Sequence, residues 1–179
     1  DYTAFMGANP SYFDDCGDDC PVENVNWNDA VRFCNALSES VGLDRCYERM
    51  SSGFMRPVAF ATPYDCPGFR LPTEAEWEFA ARAGTSTATY RGNLSYTQCY
   101  FDDALTPIAW YCYWSGDVPH PVGILYPNAW GLYDMLGNAN EWCHDHPADY
   151  PVVSVSDPWG EISGLDRVVR GGSFLYLYN

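Results

Sequence analysis

Positive charge is scarce in this chain. Nine basic residues stand against 24 acidic ones, for a formal charge of −15. A field of that sign repels phosphate backbones and anionic lipid, which argues against nucleic acid as a partner and suits cations, basic partners or plain solvation. No run approaches the roughly 20 apolar residues of a membrane span, so direct membrane insertion is not expected. Paired CxxC units are missing, and with them the usual frame of a zinc ribbon or finger. The Gly171–Gly172 pair follows a strand-like run without a P-loop pattern, and no Ser or Cys nucleophile sits in a local motif with a base. No initiator Met or signal peptide is present, so the chain reads as processed or as a fragment.

What is abundant is cysteine and aromatic rings. Eight cysteines are scattered at 16, 20, 34, 46, 66, 99, 112 and 143, a distribution that suits disulfides and hence an oxidising, extracellular or periplasmic compartment. Spacing does not fix connectivity, but Cys16–Cys20 and Cys46–Cys66 make natural local loops, and Cys99–Cys112 is a third, less obvious pairing. Cys34 and Cys143 then remain, to pair with each other or with cysteines of another segment. Aromatics make up 17% of the chain, including 14 Tyr and 7 Trp, rings favoured both in cores and where a protein binds something. At 179 residues the whole chain, 1–179, suits one domain with one core.

With 13 Pro and 15 Gly spread throughout, regular structure is expected to be sparse. Trp27, Ala30, Val31, Cys34, Leu37 and Val41 recur at steps of three and four, which predicts a helix with those residues on its buried face and Asn26 or Asn28 as cap. A second helix is predicted in PTEAEWEFAARAG: Thr73 and Glu76 stand at capping-box spacing, Trp77, Ala80 and Ala81 form its stripe, and Gly84 ends it. After Gly84, short aromatic or β-branched runs (108–113, 131–135, 168–169) alternate with turns and read as strands. Helices early and short strands late give an α+β class. The stretch from Cys46 to Cys66 reads as an inserted loop closed at its base by a cystine.

Three segments in order, PVENVNWNDAVRFCNAL at 21–37, GFRLPTEAEWEFAARAG at 68–84 and PNAWGLYDMLGNANEW at 127–142, followed by RVVRGGSF at 167–174, resemble the formylglycine-generating-enzyme or sulfatase-modifying-factor family across nearly the whole chain. The resemblance implies a C-type-lectin-like fold, with two helices on a small twisted antiparallel sheet and long irregular loops. It also implies that the domain is incomplete at both ends, because family members extend before NPSYF and after RGGS.

The family's enzymes oxidise a substrate cysteine to formylglycine with two cysteines just after RGGS, which bind copper(I). Soft thiolates are what copper(I) selects, and a phenol does not replace one. Here the segment reads RGGSFLY, with Tyr176 where the first catalytic cysteine is expected, so copper is not expected and no catalytic residue is assigned. GNANEW resembles the family's calcium-binding stretch, with Asn138 and Glu141 supplying oxygens; the alternative is that both simply tie the loop by hydrogen bonds. The acidic DDCGDDC at 14–20 lacks EF-hand spacing and reads as a solvated cystine loop. Cys143, His144, Asp145 and His146 are adjacent and point different ways, so zinc there would need further ligands.

The expected function is therefore a non-catalytic binding domain, taking a protein or glycan ligand. Trp114, Tyr176 and Tyr178 are the candidate contact residues on one exposed patch, since Tyr, Phe and Asn suit adaptable contacts. The same fold carries hypervariable receptors made by diversity-generating retroelements, which vary this C-terminal segment. The alternatives are a formylglycine-generating oxidase and a structural subunit contacting neighbouring copies in an extracellular assembly.

Overall fold

The structure, a computed structural model, describes residues 2–96, 98–161 and 163–176. It is α+β: helices α1 (Tyr2–Met6), α2 (Trp27–Ser40) and α3 (Glu74–Arg82), and strands β1 (Tyr47–Arg49), β2 (Met55–Pro57), β3 (Ala109–Trp110), β4 (Leu136–Gly137), β5 (Glu141–Trp142) and β6 (Val169–Arg170). The strands form two-stranded ladders, β1 with β2 antiparallel, β3 with β4 parallel, and β5 with β6. Frequent Gly, Pro and Asn cut the ladders to two or three residues each. Two compact units emerge: Asp1–Tyr12, Asn24–Glu74 and Trp142–Val168 in one, Phe13–Glu23, Ala75–Glu141 and Val169–Asn179 in the other.

The first unit is organised by α2. Asn26 caps it through a reciprocal box, accepting from the Asp29 amide at 3.1 Å while Asp29 accepts from the Asn26 amide. Its buried stripe is Trp27, Val31, Cys34, Asn35 and Ser38. The expected Ala30 and Leu37 are half-buried, and Val41 is 62% exposed because the helix has ended there. Polar Asn35 and Ser38 belong inside because each answers backbone groups of other segments. The Asn35 amide donates to the Tyr47 carbonyl (2.8 Å) and its oxygen accepts from the Tyr47 amide (3.2 Å), while Ser38 accepts from the Phe69 amide (2.8 Å). Tyr47 itself is fully buried against Trp27, ring edge to ring face at 5.5 Å, and its hydroxyl accepts from the Leu71 amide.

The segment between Cys46 and Cys66 is not a loose insertion. It contains the β1–β2 hairpin, and Cys46, Tyr47 and Met55 belong to the core with Trp27, Val31 and Cys34. The three local disulfides form as expected. Cys34 and Cys143 are not joined to each other in a disulfide: both are buried thiols, and burial pushes the Cys34 thiol up to about 11. The adjacent 143–146 side chains do diverge. His144 meets the Tyr47 hydroxyl (3.1 Å), Asp145 accepts from the Glu74 amide (2.5 Å), and His146 meets the Asp166 carbonyl (2.7 Å).

The second unit packs around Leu105, Ile108, Ala109 and Tyr111. Burial raises the cost of the Asp102 charge, yet amides from Ser95, Ala104 and Leu105 bond its carboxylate and hold its pKa below the ordinary value. Trp77 and Ala81 of α3 are buried, while Ala80 is half-buried. The helix ends as predicted at Gly84, with Ala83 and Gly84 both left-handed. Its last carbonyls are met from far along the chain, by the Asn128 amide at Ala80 (2.7 Å) and Ala81 (3.3 Å). Gly137 (φ +75°) has no room for a side chain, because a Cβ would collide with the Trp110 carbonyl.

Asn35→Ala strips both backbone groups of Tyr47 of their partner in a buried site. The expected loss is about 2–4 kcal/mol of unfolding free energy, read by urea titration. A loss under about 0.5 kcal/mol would show that water reaches Tyr47.

Candidate functional site

The site is built on the segment after RGG. Residues 173–176 close a tight turn in which the Ser173 and Tyr176 backbones exchange hydrogen bonds at 3.2 Å, and the Leu175 amide reaches the Ser173 hydroxyl. The turn divides its side chains. Phe174 is 7% exposed and meets Phe13 edge-on at 5.5 Å, while Leu175 and Tyr176 are 40% and 52% exposed. Phe174 is also held through its backbone, its amide donating to the Asn138 carbonyl (2.8 Å) and its carbonyl accepting from the buried Ser115 hydroxyl (2.6 Å).

Ser115 ties this turn to an aromatic stack. Trp114, 36% exposed, stacks on Trp110 at 4.1 Å between centroids, and Trp110 stacks on His120 at 3.7 Å. The Trp114 indole donates to the Ala109 carbonyl, and His120 Nε2 meets the Ser115 carbonyl at 2.8 Å. The Trp110 indole N–H is buried and has no acceptor among the described residues. Trp114 and Tyr176 thus stand on loops fastened to each other one and two residues away, through the Ser115–Phe174 bond. Tyr178 lies outside the described residues. Trp110 and Ser115 carry no local motif in the sequence, and the stacking of Trp110 on His120 and the Ser115–Phe174 bond span 10 and 59 residues.

Asn138 and Glu141 have partners of their own. Asn138, left-handed at φ +58°, accepts from the His120 amide (3.0 Å) and donates to the His120 carbonyl (2.9 Å). Glu141 Oε2 accepts from the Trp77 indole (2.7 Å), and burial raises its pKa despite that bond. Among the described residues no group of three or more His, Cys, Asp and Glu is placed to hold a metal. The donor chemistry at this loop, a half-buried carboxylate and an amide oxygen, is hard and suits calcium. Most of a six- to eight-oxygen shell would have to come from backbone carbonyls or water.

Taken together, the chain is an α+β scaffold of short ladders that carries an aromatic turn and stack held by side-chain-to-backbone hydrogen bonds. It belongs to the sulfatase-modifying-factor family, matching the sulfatase-modifying factor enzyme 1-like domain over residues 1–179. Among curated proteins it is 33% identical over 203 residues to the chaperone protein LppX of Paenibacillus barcinonensis, covering 97% of this chain and 65% of that one. It is 34% identical over 171 residues to the formylglycine-generating enzyme of Streptomyces coelicolor, covering 87% of this chain and 42% of the enzyme. The chain therefore spans less than two thirds of the length of these relatives. Among solved structures, Treponema denticola variable protein 1 matches with a TM-score of 0.80 and 37% identity, over 97% of this chain and 69% of that one.

The division of the turn gives a test. Phe174→Ala is expected to cost about 3–5 kcal/mol of stability, while Tyr176→Ala stays within about 0.5 kcal/mol. Equal losses in urea unfolding would mean that Tyr176 is a core residue.

Proposed function

We propose that the chain is a non-catalytic binding domain of its family, working outside the cytoplasm and taking a protein or glycan ligand on the surface around Trp114 and Tyr176. The observation that carries this reading is the turn at 173–176. The residue standing where the family resemblance places a copper-binding cysteine is an exposed tyrosine, on a turn anchored by its neighbour Phe174. A tyrosine there offers a rigid, amphipathic contact with few torsions to freeze. The neighbouring stack of Trp110, Trp114 and His120 supplies a second ring platform. Three disulfides support an oxidising compartment. The likeness to a structure named a variable protein supports this reading.

The identity to a formylglycine-generating enzyme is what favours the alternative of an oxidase. Incubating the chain with copper(I), oxygen and a cysteine-containing sulfatase-type peptide separates the two. The peptide is expected to keep its sulfur by mass spectrometry, and formylglycine in it would overturn the proposal. In parallel, ligands selected from a glycan array or a displayed peptide library are expected to lose at least about tenfold in affinity with Trp114→Ala or Tyr176→Ala. Selected ligands indifferent to both variants would place recognition elsewhere.

Calcium at the Asn138–Glu141 loop is part of the same proposal. The ion would be held by Glu141, Asn138 and neighbouring carbonyls, and would fix the loop that carries the Phe174 contact. Roughly 1 mM calcium, a level at which extracellular modules bind it, is expected to raise the melting temperature relative to EDTA. Glu141→Gln should abolish the difference. An unchanged melting temperature would remove calcium from the account.

A further inference from the structure

The first unit contains a cavity of about 410 Å³ that plays no part in the surface just described. Its lining reverses the sign of the chain. Three of the nine basic side chains, Arg56, Arg70 and Arg167, lie on it with two of the three histidines, His144 and His146. Glu161 is the carboxylate among these lining residues. In a protein with 24 acidic residues, cations gathered around one cavity mark a place where negative charge is wanted.

These guanidiniums are already oriented. Arg56 pairs with Glu48 at 2.7 Å, which offsets its charge. Arg70 donates to the Leu71 carbonyl (3.2 Å) and lies over the Tyr64 ring at 5.2 Å. Arg167 donates to the His144 carbonyl and lies over Trp27 at 3.8 Å, with Asp145 attracting it as well. A planar fork of five N–H donors can serve a carbonyl and an oxyanion together, and a fork fixed beforehand loses less entropy on binding. The rest of the cavity is of another kind. Phe60, Pro57, Pro63 and Trp159 line it, along with Cys46 and Cys66 of the disulfide. A few oriented polar groups in a largely apolar hollow of this volume is the usual composition of a small-molecule site.

We propose that this cavity binds a small organic carboxylate carried on a ring or similar apolar body, its charge met by Arg70 and Arg167 and its body lying against Phe60 and Trp159. The site goes beyond the proposed recognition surface and shares no residue with it. Inorganic phosphate offers the same charge without the apolar body, which separates the two sources of an anion.

The test is calorimetry on the whole chain with benzoate, phenylacetate, indole-3-acetate and N-acetyltryptophan, each beside its neutral amide, and with inorganic phosphate. At least one acid is expected to bind, with its amide about tenfold weaker or more, the worth of a charge-assisted hydrogen bond. Arg70→Gln should weaken that acid by a similar factor with the circular dichroism unchanged, and Arg45→Gln, an exposed arginine off this cavity, should not. Arg167 also packs on Trp27, so Arg70 is the variant that separates binding from folding. The proposal is overturned if no acid binds below about 10 mM. It is equally overturned if acid and amide bind alike, if phosphate matches the best acid, or if Arg70→Gln changes nothing in a folded protein.

Discussion

Asn35, Asn128 and Asn138 each reach from one stretch of chain to the backbone of another, at Tyr47, at Ala80 and Ala81, and at His120. Asp102 and Ser115 do the same at Ser95 and Phe174. Strands of two or three residues satisfy few of their neighbours' amides, and an unpaired buried amide or carbonyl costs about as much as a lost hydrogen bond. Short polar side chains therefore stand in for the missing ladder. Because each is tied to two particular groups, it fixes loop position more narrowly than apolar contact would. The turn at 173–176 and the aromatic stack are held this way, so the surface inherits its order from a few carboxamides and hydroxyls.

The parts legible in the sequence are those governed by neighbours in the sequence. The start of α2 at Trp27 with Asn26, one of two candidate caps, the close of α3 just before Gly84 and the three cystines all depend on residues within about one turn or one loop, and all fall where the sequence points. The α+β class followed from the same local signals. Elsewhere distance decided. Val41 keeps the helical period yet lies past the last turn of α2, while Asn35 and Ser38 look like surface residues until Tyr47 and Phe69 arrive to bond them. The hairpin inside the Cys46–Cys66 loop was hidden because Gly, Ser and Pro read as punctuation, whereas its pairing is stabilised by Tyr47 and Met55 in the core. For the candidate site, the exposed Trp114 and Tyr176 were legible as ring-bearing positions. The Ser115–Phe174 bond that brings their loops together spans 59 residues and leaves no pattern in the sequence.

Every basic residue in the chain is arginine. Among the described residues four of the nine lie over aromatic rings, at Tyr64, Tyr126, Trp27 and Trp77. A guanidinium is weakly hydrated and flat, so it can be half-buried on a ring while its edge bonds carbonyls or carboxylates, which a strongly hydrated ammonium does less well. Arg170 does both at once, over Trp77 and within 3.1 Å of Glu78. With so few cations, their placement is a structural economy: they serve as packing pieces first and as charges second.

The Cys46–Cys66 bridge encloses the β1–β2 hairpin, whose tip at 50–54 is exposed with Phe54 pointing outward. Exposed tips are where proteases cut first. A cut there would leave both new ends attached, one through Cys46 and one through Cys66. Tyr47 and Met55 would still be seated in the core on either side of it. The domain is thus built to survive a nick at this exposed turn, a property of use to any protein that works among extracellular proteases.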